Sequence, residues 1–240
     1  MQRKKQIMNP LRALQRWHRF SIKRLLLEMA GALFGMQVVI VLILQIITER
    51  RKRHRKEGSF PHPHLSEVSV EGNSLQIYDY GADLFDAMFA AIDAAQESIY
   101  LETYIWKDDA VGQDFKEHLA RKADQGVDVY VVFDAFANMV VPHHFKVFPS
   151  NIHTLDYRAF RRPWQLLDPR RYALDHRKLL IVDGSTSFIG GYNIGSLYAT
   201  RWRDTHLRIV GQASADLAQS FTDFWKRHAP KHRRITRHYP

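Results

Sequence analysis

The chain has 240 residues, a net charge of +10, 45% hydrophobic and 12% aromatic residues, and no cysteine. That balance excludes wholesale disorder, and the missing cysteine excludes disulfides, thiolate nucleophiles and thiolate-bound zinc. The positive charge favours anionic partners and leaves open nucleic acid, anionic lipid headgroups and phosphorylated substrates.

Residues 1–28 form a basic, amphipathic segment. Arg12, Arg16, Arg19 and Lys23 recur at helical spacing while Leu11, Leu14, Ile22 and Leu25 can share an apolar side. The pattern suits an interfacial helix on anionic lipid and equally a solvated basic face. From Met29 to Ile47 the sequence runs 19 residues without a charge, which at helical rise approaches the thickness of a hydrocarbon core and predicts a transmembrane helix. A signal peptide fits less well, because the run lies far from the start and is followed by TERRKRHRK rather than small residues. A buried core helix is the remaining alternative. Basic residues flank the run on both sides, so the positive-inside rule assigns no orientation.

Residues 48–65 read as a basic juxtamembrane linker ending in Gly, Ser and two prolines, EGSFPHPHL. A folded domain is expected from 66 to 228, followed by a basic tail over 229–240. Within the domain, strands are predicted at 98–106, 127–134, 151–155, 178–182, 186–190 and 205–210, and helices at 82–95, 111–125 and 214–228. The alternation marks an α/β domain. Gly126 follows the second helix where a C-terminal cap belongs. His62 with His64, and His143 with His144, lack the ligand spacing and carboxylate partner that a metal site requires.

The chemistry concentrates between Asp175 and Val210, DHRKLLIVDGSTSFIGGYNIGSLYATRWRDTHLRIV. His176, Lys178 and Asp183 stand in the order HxKxxxxD. Side chains two apart on a strand share a face, so His176 and Lys178 project together, whereas Asp183 has the opposite parity and ends the strand before Gly184. A structural role for Asp183, such as pairing with a basic neighbour, is at least as well supported as catalysis. A His and Lys pair suits attack on a phosphodiester: imidazole serves as nucleophile or proton carrier near neutral pH, and ammonium stabilises phosphoryl oxygens. Glycines 184, 190 and 191 permit close backbone approach, Asn193 brings an amide donor, and Asp204 is placed to orient an imidazole.

The stretch resembles the HKD motif of the phospholipase D superfamily, and most specifically the N-terminal half of bacterial cardiolipin synthases. The matching pieces are HRKLLIVDG, FIGGYNIG and WRDTHLRIVG, with YLETYIWKDDAVGQDFKEHLARKADQGVDVYVVFDAFAN upstream. The likeness covers about Val70 to His228. It implies a mixed α/β sheet flanked by helices, preceded here by the N-terminal transmembrane helix, and a two-step transfer with no metal and no cofactor. In that transfer the histidine attacks phosphorus and expels an alcohol, and a second alcohol or water resolves the phosphohistidine. The resemblance makes His176 the nucleophile or its acid/base counterpart, Lys178 and Asn193 the phosphate ligands, Asp204 the orienter of His176, and Asp183 the motif's own carboxylate.

Three departures stand out. Members of the cardiolipin synthase type usually carry two HKD motifs, and this sequence has one. Asp175 stands where Asn is common, and Gly191 where some relatives have a hydroxyl residue. Since one histidine must attack while another protonates the leaving alkoxide, a lone half-site is expected to need a homodimer or a second HKD-bearing chain; truncation of a two-motif enzyme is the other reading. The expected partners are an anionic, phosphatidylglycerol-like phospholipid and the cell membrane, entered by a single span. Nucleic acid is the weaker alternative, because much of the charge lies in the tail and beside the apolar run.

Overall fold

The computed structural model describes residues 10–54, 65–158, 164, 167, 174–229 and 235. The chain divides into two compact units, Met1–Gly58 and Ser59–Pro240, which we describe separately.

The first unit is one helix, α1 (Pro10–His54). Its portion Ile22–Arg51 is long and apolar enough to cross a bilayer, and none of it is buried against protein. The helix continues past the apolar run, through residues read from sequence as the start of a linker. Straight-chain Glu, Arg and Lys lose little freedom in a helix, and Thr48 Oγ1 donates back to the Leu44 carbonyl at 2.7 Å, so nothing at Ile47 stops it. Side chains of the expected basic stripe at Arg12, Arg16 and Arg19, and both His62 and His64, lie outside the described residues.

The second unit is built on one eight-stranded sheet. Its elements are β1 (Val68–Val70), β2 (Asn73–Tyr78), α2 (Gly81–Ala94), β3 (Ser98–Thr103), α3 (Ala110–Asp124), β4 (Asp128–Asp134), β5 (Ile152–Tyr157), β6 (Leu179–Val182), β7 (Thr186–Gly190), α4 (Ser196–Thr200), β8 (His206–Val210) and α5 (Ala213–His228). The strand order is β1-β2-β8-β7-β6-β3-β4-β5. β3, β4 and β5 are parallel and every other pair is antiparallel. The mixture follows from the connections: α3 gives the crossover that a parallel pair needs, whereas a short turn links β6 to β7 and a segment carrying α4 returns the chain from β7 to β8.

The predicted strands and helices are present, with two informative differences. The segment 68–78 forms a hairpin, closed by Glu71 and Gly72 with φ of 48° and 78°, the left-handed pair of a two-residue turn. Alternating VSV and NSLQIY around EG was the available signal. β3 ends at Thr103 rather than Trp106, because 104–105 leave the sheet before Trp106 bridges to Ile194.

Strand periodicity divides the core between two faces. Ile99, Leu101, Val129, Val131, Leu180 and Phe188 pack against Leu84, Phe85, Phe115 and Leu119 of α2 and α3. Tyr100, Val132, Leu179 and Ile181 point the other way, onto Ala218, Phe221 and Trp225 of α5. Ile235, in the segment read as a basic tail, is 3% exposed and belongs to this second core, so the tail contributes an apolar anchor. Asp109 caps α3, accepting the Gly112 N–H at 3.1 Å. Gly126, with φ of 91°, takes the left-handed position just beyond it.

Candidate active site

The antiparallel arrangement of β3, β6, β7 and β8 gathers the chemistry at one sheet end. β6 runs against β3, so its entry segment 175–178 lies beside the exit of β3; β7 ends and β8 begins at that same edge. His176, Lys178, Asn193 and Asp204 are therefore brought to one end from segments separated in sequence. Asp183, five residues beyond Lys178, is carried to the opposite end.

His176 is exposed. Its ring meets the Tyr104 ring edge-on, with centroids 4.5 Å apart. Lys178 is 5% exposed; its Nζ donates to the His176 carbonyl at 2.7 Å and lies 5.1 Å from the Tyr104 ring centre. Tyr104 thus touches both residues of the pair. Burial lowers the Lys178 pKa, and the charges of Asp204 and Asp175 oppose that shift. A partly desolvated ammonium kept cationic by carboxylates is suited to receive an anionic phosphoryl oxygen.

Asp204 accepts the Thr205 N–H at 2.9 Å and acts electrostatically on Lys178 and on His206. Among the described residues it forms no hydrogen bond with His176. Gly191 faces it directly: a Cβ there would fall 2.0 Å from Asp204 Oδ1, so the missing side chain makes room for the carboxylate. Asn193 Oδ1 accepts the Ile105 N–H at 3.2 Å, and its side chain lies beside the Tyr198 hydroxyl. It is tied to the same 104–106 segment that carries Tyr104.

Asp183 has a different occupation. It turns at φ of 51° and accepts the N–H groups of Gln96, Glu97 and Ser98, each at 2.8 Å. The partners are backbone amides at the start of β3 rather than the basic side chain anticipated from sequence. Three donors converging on one carboxylate clamp the β6–β7 turn to the central strand.

Several residues of the site escaped sequence reasoning. Tyr104 reads as one more aromatic in an apolar strand. His206 is 1% exposed, and neither ring nitrogen has a hydrogen-bond partner. Burial pushes its pKa down to about 4, so it is neutral near pH 7. It lines an apolar recess with Phe85, Thr103, Lys178, Tyr192 and Ile194. Glu102, 0% exposed, was detectable as a lone acid inside SIYLETY. Among the described residues, no group of three or more His, Asp or Glu is placed to hold a metal ion. His144 does have a carboxylate neighbour, Nε2 lying 3.4 Å from Asp108 Oδ2, a contact between α3's entry loop and the turn at 143–146 that spacing could not show.

Residues 88–225 match the family model described as cardiolipin synthase, PLD-like domain. The chain belongs to the phospholipase D superfamily. It is 33% identical over 174 residues to cardiolipin synthase A of Pseudomonas putida strain GB-1, covering 68% of this chain and 36% of that protein. Cardiolipin synthase A of Pseudomonas aeruginosa strain LESB58 is 32% identical over 166 residues, covering 65% and 33%. The chain therefore spans about a third of the length of the curated relatives it matches. Among solved structures, Nuc from Salmonella typhimurium, a phospholipase D family member, superposes with a TM-score of 0.50 at 23% identity, over 65% of this chain and 93% of that one. NucT from Helicobacter pylori gives 0.50 at 17%, over 65% and 94%. At those identities the two structures support the fold: a phospholipase D-like mixed sheet flanked by helices. The matched region holds one HKD motif, His176, Lys178 and Asp183.

Proposed function

We propose that this protein transfers a phosphatidyl group between glycerophospholipids, in the manner of a cardiolipin synthase, once a second HKD half-site is supplied by another copy or another chain. The observation that carries the reading is the His176–Lys178–Tyr104 arrangement: an exposed imidazole beside a partly buried ammonium at the mouth of the sheet. An imidazole nitrogen of His176 attacks phosphorus and the alkoxide leaves, taking its proton from the histidine of the facing half-site. The hydroxyl of a second lipid then displaces His176, returning its proton to that same base. Lys178 Nζ and Asn193 Nδ2 donate to phosphate oxygens, with Asn193 Oδ1 staying on the Ile105 N–H. Asp204, not bonded to His176 in the resting arrangement, is the carboxylate that orients the reacting imidazole once substrate is bound.

The need for a partner has support in the sheet. On the face covered by α5, Val68, Val70, Ile77 and Ile189 remain 54%, 47%, 46% and 38% exposed, an apolar strip of the kind that a second chain covers. The substrate class is supported by the charge distribution. Residues 59–228 contain 17 Lys and Arg against 22 Asp and Glu, a net −5, which disfavours a nucleic acid backbone as the ligand of the folded domain. The positive charge resides around the apolar segment and in the tail, where anionic lipid is the fitting counterpart.

The test is turnover by the full chain in phosphatidylglycerol vesicles. Cardiolipin and free glycerol should appear with the wild type and vanish with His176→Ala. Identical behaviour of the two proteins, at concentrations where the chain self-associates, would overturn the proposal.

A further inference from the structure

Behind His176 and Lys178 lies a buried group of charges that the transfer chemistry does not use. The entry segment of β6 alternates: His176 and Lys178 face the site, whereas Asp175 and Arg177 turn toward the α5 side. There they meet Glu102, which stands on β3 opposite Leu179, in the same row as Tyr100.

The contacts of this group are unequal. Arg177 Nε donates to Glu102 Oε1 at 2.8 Å, and its Nη2 lies 2.7 Å from the same oxygen. Nη1 donates to Ser220 Oγ at 3.1 Å, and the guanidinium stacks 4.6 Å over the Phe224 ring. The Asp175 N–H donates to Asp134 Oδ2 at 3.0 Å, while Asp175 Oδ1 accepts the Arg177 N–H at 3.4 Å. Those bonds use one oxygen of each acid. The other two, Glu102 Oε2 and Asp175 Oδ2, are buried without a donor, and the two side chains meet each other.

The surrounding charge does not relieve them. Asp134 of β4 adds a third carboxylate, accepting from Asp175 and from the Ala137 N–H at 2.9 Å. Lys178 is directed to the opposite face and reaches Asp175 only through space. From α5, Asp216, Asp223 and Arg227 line an open groove with Arg177 and Ser220, so they are solvated. Arg177 is the one cation in direct contact with the buried acids among the described residues. One guanidinium does not balance two ionised carboxylates that adjoin in the interior, each with an oxygen lacking a donor.

We propose that Glu102 and Asp175 share a single proton between Oε2 and Oδ2, and that this acid pair, neutralised by Arg177, positions the segment carrying His176 and Lys178. One hydrogen bond then satisfies both orphaned oxygens, and the trio has no net charge. The proton is taken from solvent on folding. Burial pushes the Glu102 carboxyl up to about 9, with the adjacent Asp175 charge acting in the same direction; burial likewise raises Asp175. The folded chain therefore holds a proton that the unfolded chain releases above its ordinary carboxylate range. The stability it confers is complete at acid pH and is lost as pH climbs toward 9.

Glu102 and Asp175 act here as positioning residues, and the inference depends on the proposed transfer only for its consequence in turnover. Thermal unfolding of the full chain in detergent, from pH 5 to 9.5, tests the shared proton independently. In the wild type the unfolding equilibrium constant should rise by up to tenfold per pH unit from this pair. Asp175→Asn and Glu102→Gln each supply an N–H in place of the proton, so their stability relative to the wild type should improve steadily with pH. Parallel profiles would overturn the proposal. Should one variant fail to fold, infrared spectroscopy of the wild type at pH 7 decides: a protonated-carboxyl C=O band must be present, and its absence is equally fatal. Where lipid turnover is measurable, the alkaline limb of its pH profile should move upward in the amide variant. A fixed limb would reject the positioning role, and the absence of any turnover would count against the proposed function alone.

Discussion

Replacing Asp183 separates the structural reading of the motif's carboxylate from the catalytic one. Asp183→Ala leaves three N–H donors without their acceptor. Gln96 and Glu97 are exposed, so water can replace the carboxylate there, whereas Ser98 is 1% exposed and its N–H is stranded. An orphaned buried donor costs ~1–3 kcal/mol, and charge-assisted bonds to water-accessible donors contribute less than their full ~1.5–3 kcal/mol each. Alanine also tolerates the φ of 51° poorly. A total near ~4 kcal/mol is expected, which for a domain of this size lowers Tm by roughly 8–16 °C. Asp183→Asn keeps one acceptor and a residue at ease in the left-handed region, and should lose about half as much. The assay is thermal unfolding of the full chain in detergent, with phosphatidylglycerol turnover measured well below the lowered Tm and normalised to folded protein. Turnover per folded molecule should stay within about threefold of wild type, a difference of well under ~1 kcal/mol in barrier. An Asp183→Asn protein that melts like the wild type but has lost turnover would refute the structural assignment.

Two further outcomes follow from the packing. His206 is held neutral with a folded pKa of about 4, while the unfolded chain protonates near 6.5, so stability is present above that value and falls with pH between 6.5 and 4. The loss amounts to about 3 kcal/mol, and in His206→Leu an acid titration of Tm should be flatter by about that amount; an unchanged acid limb would contradict it. Gly190→Ala places a Cβ 2.3 Å from the Thr205 carbonyl and 2.6 Å from the His206 Cα, backbone atoms that cannot swing aside. Equilibrium unfolding should show a loss of at least ~3 kcal/mol, whereas Gly191→Ala, whose Cβ meets the Asp204 side chain first, should cost less in stability and more in turnover.

Much of this protein was legible in the sequence because periodicity carries local information. Apolar alternation located the strands from Ser98 onward, helical spacing located α2, α3 and α5, and nineteen uncharged residues marked the apolar helix. The pair His176 and Lys178 was readable because side chains two apart share a face wherever the backbone is extended. Neither an extended backbone nor parity reveals which strand lies alongside. The β1–β2 hairpin went unread because β1, at three residues, is too short for its alternation to stand out beside the linker, and the helix ran past Ile47 because its charged continuation is itself helix-forming.

What the sequence alone determined is a half-site of phospholipase D type: an imidazole and an ammonium on one face, with a glycine-rich return after them. Only the tertiary structure decided which residues stand around that pair. It sent Asp183 to the far end of β6 to hold three amides, set Tyr104 against both reacting groups, left room at Gly191 for Asp204, and buried Glu102 against Asp175 and Arg177. Each of these depends on antiparallel pairing between segments up to 87 residues apart, and a contact across that distance leaves no periodic trace in the chain.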